Sequence, residues 1–123
     1  MQKQIDHWIK GAEEALKSAS LLIQNKQLLH GLFFCHLSIE KAIKAHVVKF
    51  TKEIAPKSHN LNLLLEKANI EIDDGTSIFL GILMNYQLEG RYSDYNPIIP
   101  EYSLVEEYLL KTEELLKWFK QRL

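Results

Sequence analysis

Apolar residues recur at helical spacing along almost the whole chain, and that periodicity sets the expected elements. Between Ile5 and Ile23 they stand at Ile5, Trp8, Ile9, Ala12, Ala15, Leu16, Ala19, Leu22 and Ile23, three or four apart, while Lys10, Glu13, Glu14 and Lys17 take the other face. This predicts one amphipathic helix, stopped at Asn25 and Lys26. A second pattern runs from Gln27 to about Phe50. Its main apolar face is Leu32, Cys35, Ile39, Ala42, Ile43, Val47 and Phe50, and Phe33, Phe34 and Leu37 add apolar surface elsewhere, so few directions are left for water. Pro56 ends the tail of that helix, and Ser58 can cap a short one through Leu61, Leu64, Leu65 and Ala68. Asn69 to Asp74 is turn-like. Asp73 or Asp74 then caps a fourth helix carrying Ile78, Phe79, Ile82, Leu83 and Tyr86, closing near Gly90, with Gly81 inside it as a mark of close packing. Two prolines and several turn formers make Arg91 to Pro100 the one long loop. Ser103, three residues before Glu106, has the spacing of a capping box and opens a last helix with Val105, Tyr108, Leu109, Thr112, Leu115, Leu116 and Phe119 inward. No segment alternates with period two. The expected fold is all-α, an up-and-down bundle of four to five helices.

A length of 123 residues suits one domain over residues 1–123. Fifteen Lys and Arg against sixteen Asp and Glu leave no basic excess, which weakens any mode that relies on bulk phosphate neutralisation but leaves room for a local basic cleft. The single Cys35 cannot form an intrachain disulfide. With no apolar leader pattern at the N-terminus, this points to the cytoplasm. No window approaches 18 uninterrupted apolar residues, so no membrane span is expected.

The second helix carries the most informative chemistry. His36, Glu40 and Lys44 stand four apart and form one ionisable stripe, with Ile43 and Val47 on one side and Leu37 and Val48 on the other. An ionisable row between two apolar strips calls for a cover, either a neighbouring helix or a second subunit. One reading is a partly buried salt bridge that fixes helix register. The other is a histidine and a carboxylate that tune one another while Lys41 and Lys44 attract a phosphate. A second candidate is Arg91-Tyr92 followed by Asp94, Tyr95 and Asn96. Arg91 could cap helix carbonyls, but Arg with tyrosines and an asparagine in one irregular segment also suits phosphate contact and base stacking. His59 could cap the third helix or face the same cleft. His7, His30 and His46 have no partner at ligand spacing, so neither a metal nor a cofactor is expected, and no phosphate-loop or dinucleotide-loop glycine pattern occurs. Cys35, on the buried face, reads as a small hydrophobe.

Taken together, Trp8 in the first helix, His36-x3-Glu40-Lys41-x2-Lys44 in the second, His59-x-Leu61 opening a short helix, and Arg91-Tyr92 after the fourth resemble the HEPN domain, the "higher eukaryotes and prokaryotes nucleotide-binding" family. The resemblance spans nearly the whole chain. It implies a bundle of four or five helices that commonly dimerises, with a cleft at or near the interface. Many prokaryotic members stand beside a separately encoded minimal nucleotidyltransferase in a toxin–antitoxin-like pair, and others are metal-independent RNases. The RNase members share an Arg-x4–6-His motif. Here Arg91 matches the arginine, but Asn96, Pro97 and Ile98 fill the histidine positions and no histidine follows His59. Asparagine exchanges no proton at neutral pH, which argues against RNase activity.

The function expected is therefore a homodimeric module binding a nucleotide or phosphate ligand and acting with a nucleotidyltransferase partner. Arg91, Lys41 and Lys44 would contact phosphate, Tyr92 or Tyr95 a base or ribose, Asn96 a phosphate or water, and His36 and Glu40 would orient them. The alternatives are a metal-independent RNase toxin, taking RNA through a rearranged site, and a purely structural partner-binding bundle.

Overall fold

The computed structural model describes residues 1–89 and 95–123. Among these residues there are five α-helices and no strand: α1 (Gln2–Gln24), α2 (Leu28–Thr51), α3 (Leu61–Ala68), α4 (Asp74–Met84) and α5 (Tyr102–Gln121). The all-α expectation holds. No described helix is long and apolar enough to cross a membrane.

α2 is the central element, with α1, α3, α4 and α5 all packed on it. That answers why it is apolar in so many directions. Leu32, Cys35, Ile39, Ala42, Ile43 and Val47 enter the main core, while Ala45 and Val48 close a smaller cluster with Ile5. Phe50 departs from expectation. It sits in the last turn and is 59% exposed, because the small cluster at that end closes without it.

Close approach of α1 and α2 depends on small residues. Ala12 and Ala19 are fully buried on α1, and Gly31 opens α2 where a β-carbon would come within 2.5 Å of Ile23 Cγ1. Gly81 has nothing within 4 Å of its would-be β-carbon, so the glycine that marks tight packing is Gly31.

Three helix ends differ from the sequence expectation. Asn60, not Ser58, caps α3: its Oδ1 accepts from the amides of Asn62 and Leu63 at 3.0 and 3.2 Å. Ser58 Oγ accepts from the Asn60 amide at 3.1 Å and shapes the turn just before. Asp73 caps α4 through the Thr76 amide at 2.7 Å, but α4 ends at Met84, well short of Gly90, which lies outside the described residues. α5 starts one residue before Ser103 with Glu101 in the cap position and no side-chain cap, so the capping box does not form.

Candidate functional site

His36, Glu40 and Lys44 line up on α2 as their spacing requires, and all three are buried, at 0%, 3% and 5% exposure. The cover comes from the same chain. On one side stands α1, where Trp8 faces Lys44 Nζ at 5.3 Å from its ring centroid, Gly11 leaves room for the Lys41 side chain, and the Ala12 carbonyl accepts from Ser38 Oγ at 2.8 Å. On the other side stands His59, in the turn that Ser58 and Asn60 shape at the entry to α3.

Glu40 is the hub. Its Oε2 accepts from Lys44 Nζ at 3.0 Å, and its Oε1 accepts from His59 Nδ1 at 3.0 Å. A buried carboxylate needs such partners, since an unpaired charge away from water costs several kcal/mol. His36 Nε2 donates to the His59 carbonyl at 3.1 Å. This leaves His36 Nδ1 as a bare lone pair, 3.7 Å from Glu40 Oε1, and it is the one buried side-chain polar atom without a hydrogen bond among the described residues. Burial pulls the His36 pKa down to about 4, against the opposing pull of Glu40 and the His59 carbonyl, so the ring is neutral at pH 7 and its contact with Glu40 is not an ion pair.

His59 carries the cluster to the surface. Its side chain is 40% exposed, and its Nε2 lies 3.0 Å from Glu89 Oε2, a carboxylate that is itself 60% exposed. A neutral imidazole has one N–H, so donating to both carboxylates takes the imidazolium form. Glu89 lies two residues before Arg91 in the chain.

The other expected site residues fall as follows. Arg91 and Tyr92 lie outside the described residues. Tyr95 donates its hydroxyl to the Asn85 carbonyl at the end of α4, and Asn96 is exposed. Tyr86 Oη donates to the Ile98 carbonyl at 3.3 Å, which ties the described part of the loop to the turn after α4. Lys44 is committed to Glu40 and nearly closed to solvent, whereas Lys41 is partly exposed. Lys44 therefore orients Glu40, and of the two lysines only Lys41 has access to solvent.

Sequence reasoning missed Glu89 and had no way to link His59 to Glu40. The two are 19 residues apart on different elements, and helical spacing reports only neighbours on one helix. Cys35 behaves as expected of a core residue, since burial pushes its thiol up to about 11. Two surface clefts, of about 480 and 730 Å³, lie between the start of α4 and α5 and between α1 and α5, and no member of the stripe lines either. Among the described residues no group of three His, Cys, Asp or Glu side chains could hold a metal ion.

Comparison with known proteins bears on the whole chain. The model of the HEPN domain family matches residues 5–123. Among solved structures, TT1696 from Thermus thermophilus is similar with a TM-score of 0.79 at 18% identity, covering 98% of both chains. ST0689, described as an archaeal HEPN homologue, is similar with a TM-score of 0.63 at 19% identity, covering 96% of both. No curated protein matches the sequence. At these identities the two structures speak for the fold.

Proposed function

Since this chain belongs to the HEPN family, we propose that it binds a nucleotide or phosphate ligand beside the Glu40 cluster, works as a homodimer, and acts with a separately encoded minimal nucleotidyltransferase in a toxin–antitoxin-like pair. The observation that carries this function is the ion pair between His59 and Glu89, because it ties the segment leading into Arg91 to the buried stripe. The stripe itself is closed to solvent, so a ligand meets the cluster through the half-exposed His59.

In this function Arg91 and the partly exposed Lys41 meet phosphate, Tyr92 or Tyr95 meets a base or ribose, and Asn96 holds a phosphate or a water. Glu40, locked by Lys44, orients His59. Dimerisation draws no support from the main apolar face of α2, which packs within the chain, while Phe33 and Leu37 stay half-buried and Phe50 is exposed. It follows from the family habit alone, and sedimentation velocity showing a monomer at micromolar concentration would contradict it. Calorimetry with ATP on wild type and Arg91→Ala tests the ligand: wild type binds and the variant binds at least tenfold more weakly. Equal affinity in the two, or no binding in either, removes the claim.

One observation favours a second function. A histidine held by a buried carboxylate, with its other nitrogen meeting a carboxylate at the surface, is an arrangement that suits proton transfer. His59 could then replace the missing motif histidine in a metal-independent RNase. Incubation with structured RNA in EDTA separates the two functions, because cleavage that is lost in both His59→Gln and Arg91→Ala belongs to the enzyme.

A further inference from the structure

Two carboxylates contact the same imidazole, and they are built differently. Glu40 is 4% exposed along its side chain, is locked by Lys44, and is reached from the interior. Glu89 is 60% exposed and meets the opposite edge of the ring from the surface. His59 itself is held on several sides. Its Nδ1–H is committed to Glu40, its carbonyl accepts from His36, and its chain neighbours Ser58 and Asn60 form the turn and the cap of α3. So the direction of its Nε2–H is set by the interior of the protein, and Glu89 contributes little to it.

A rigid, charge-assisted donor that emerges at the surface is an anion subsite. We propose that Glu89 is an internal stand-in for the ligand: its carboxylate occupies the Nε2–H of His59, and a phosphate oxygen displaces it there. This rests on the phosphate-binding function proposed above and adds the group that recognises the phosphate and the side chain that competes for it. Exposed ion pairs are weakly held, so a surface carboxylate is easily displaced. A phosphate monoester offers up to two charges and three acceptor oxygens to the same donor. A purely structural Glu89, tying down the tail after α4, has the opposite signature: its loss weakens the fold and leaves binding unchanged.

The test is calorimetry on wild type, Glu89→Gln and His59→Gln with three probes: ATP, inorganic phosphate and adenosine. Removing the competitor is expected to tighten ATP binding about two- to fivefold in Glu89→Gln, the range that releasing one exposed ion pair allows. His59→Gln, folded by its thermal transition, is expected to bind ATP at least tenfold more weakly. Phosphate should follow the ATP pattern, and adenosine should respond to neither substitution. If phosphate does not bind while ATP does, and Glu89→Gln still tightens ATP, the subsite takes nucleotide phosphates only and the proposal stands. Wild-type binding of ATP with equal or weaker binding by Glu89→Gln overturns the stand-in and leaves the ligand function intact. Absence of ATP binding from both wild type and Glu89→Gln overturns both.

Discussion

α2 places histidines in the interior at two points, and the surroundings of the two differ. His46 is 7% exposed and donates Nε2–H to the Phe119 carbonyl at 2.8 Å, with its ring tilted against Phe119. That single bond ties α2 to the end of α5. His36 is fully buried and also donates to one carbonyl, but its second nitrogen is unpaired and faces a carboxylate that serves a lysine and a second histidine. A tether needs one partner. The His36 region has more ionisable groups than a tether uses, and they form a continuous path from Lys44 in the interior to Glu89 on the surface. A buried polar group by itself says little about function, whereas one connected to a surface donor marks a candidate site.

Glu40, the hub of the His36 region, is where a single substitution costs most. Glu40→Ala leaves the Lys44 ammonium buried without its counter-ion, and breaking such a pair costs about 3–5 kcal/mol. Urea denaturation should show that loss, and a loss below about 1 kcal/mol would mean that Lys44 escapes to water. Acid comes next. The folded pKa of His36, about 4, lies below its unfolded value of 6.5, so between those limits the unfolded chain binds the proton first. Stability is complete above pH 6.5 and falls by about 3 kcal/mol as pH drops to 4, at 1.36 kcal/mol per unit. Burial also lowers His46, which acts in the same direction. Denaturation at pH 7 and pH 4.5 should give a smaller difference for His36→Gln than for wild type. His46→Ala is milder: it strands the Phe119 carbonyl and costs about 1–3 kcal/mol, with ATP affinity unchanged. A change in affinity there would erase the distinction between the two histidines.

Much of the fold was legible because it is written in a period. Apolar spacing located every helix, since each buries a face on α2 and that geometry repeats every three or four residues. Single-residue signals did worse. Ser58 and Ser103 were plausible caps, but Asn60 and Glu101 took the positions, because several polar residues in a row can each start a helix and packing chooses among them. Gly81 drew attention through its place in an apolar helix, yet its β-carbon position faces open space, while Gly31 at the start of α2 meets Ile23. At the site, the stripe was legible as an i, i+4 row on one helix. Its connection to the surface was not, because His59 and Glu89 lie 19 and 49 residues beyond Glu40 and no local pattern joins them.

In the proposed function, the network centred on Glu40 ends in a ligand-binding donor at His59. The most direct test is titration of ATP into wild type and His59→Gln, alongside their unfolding free energies. His59→Gln removes the surface contact with Glu89 and also the Nδ1–H that the buried Glu40 accepts, so its loss of stability is measured separately from its loss of affinity. Binding at least tenfold weaker in the variant, under conditions where its unfolding transition shows it folded, is the predicted result. Equal affinity in the two proteins would contradict the account and leave the stripe as a structural ion pair.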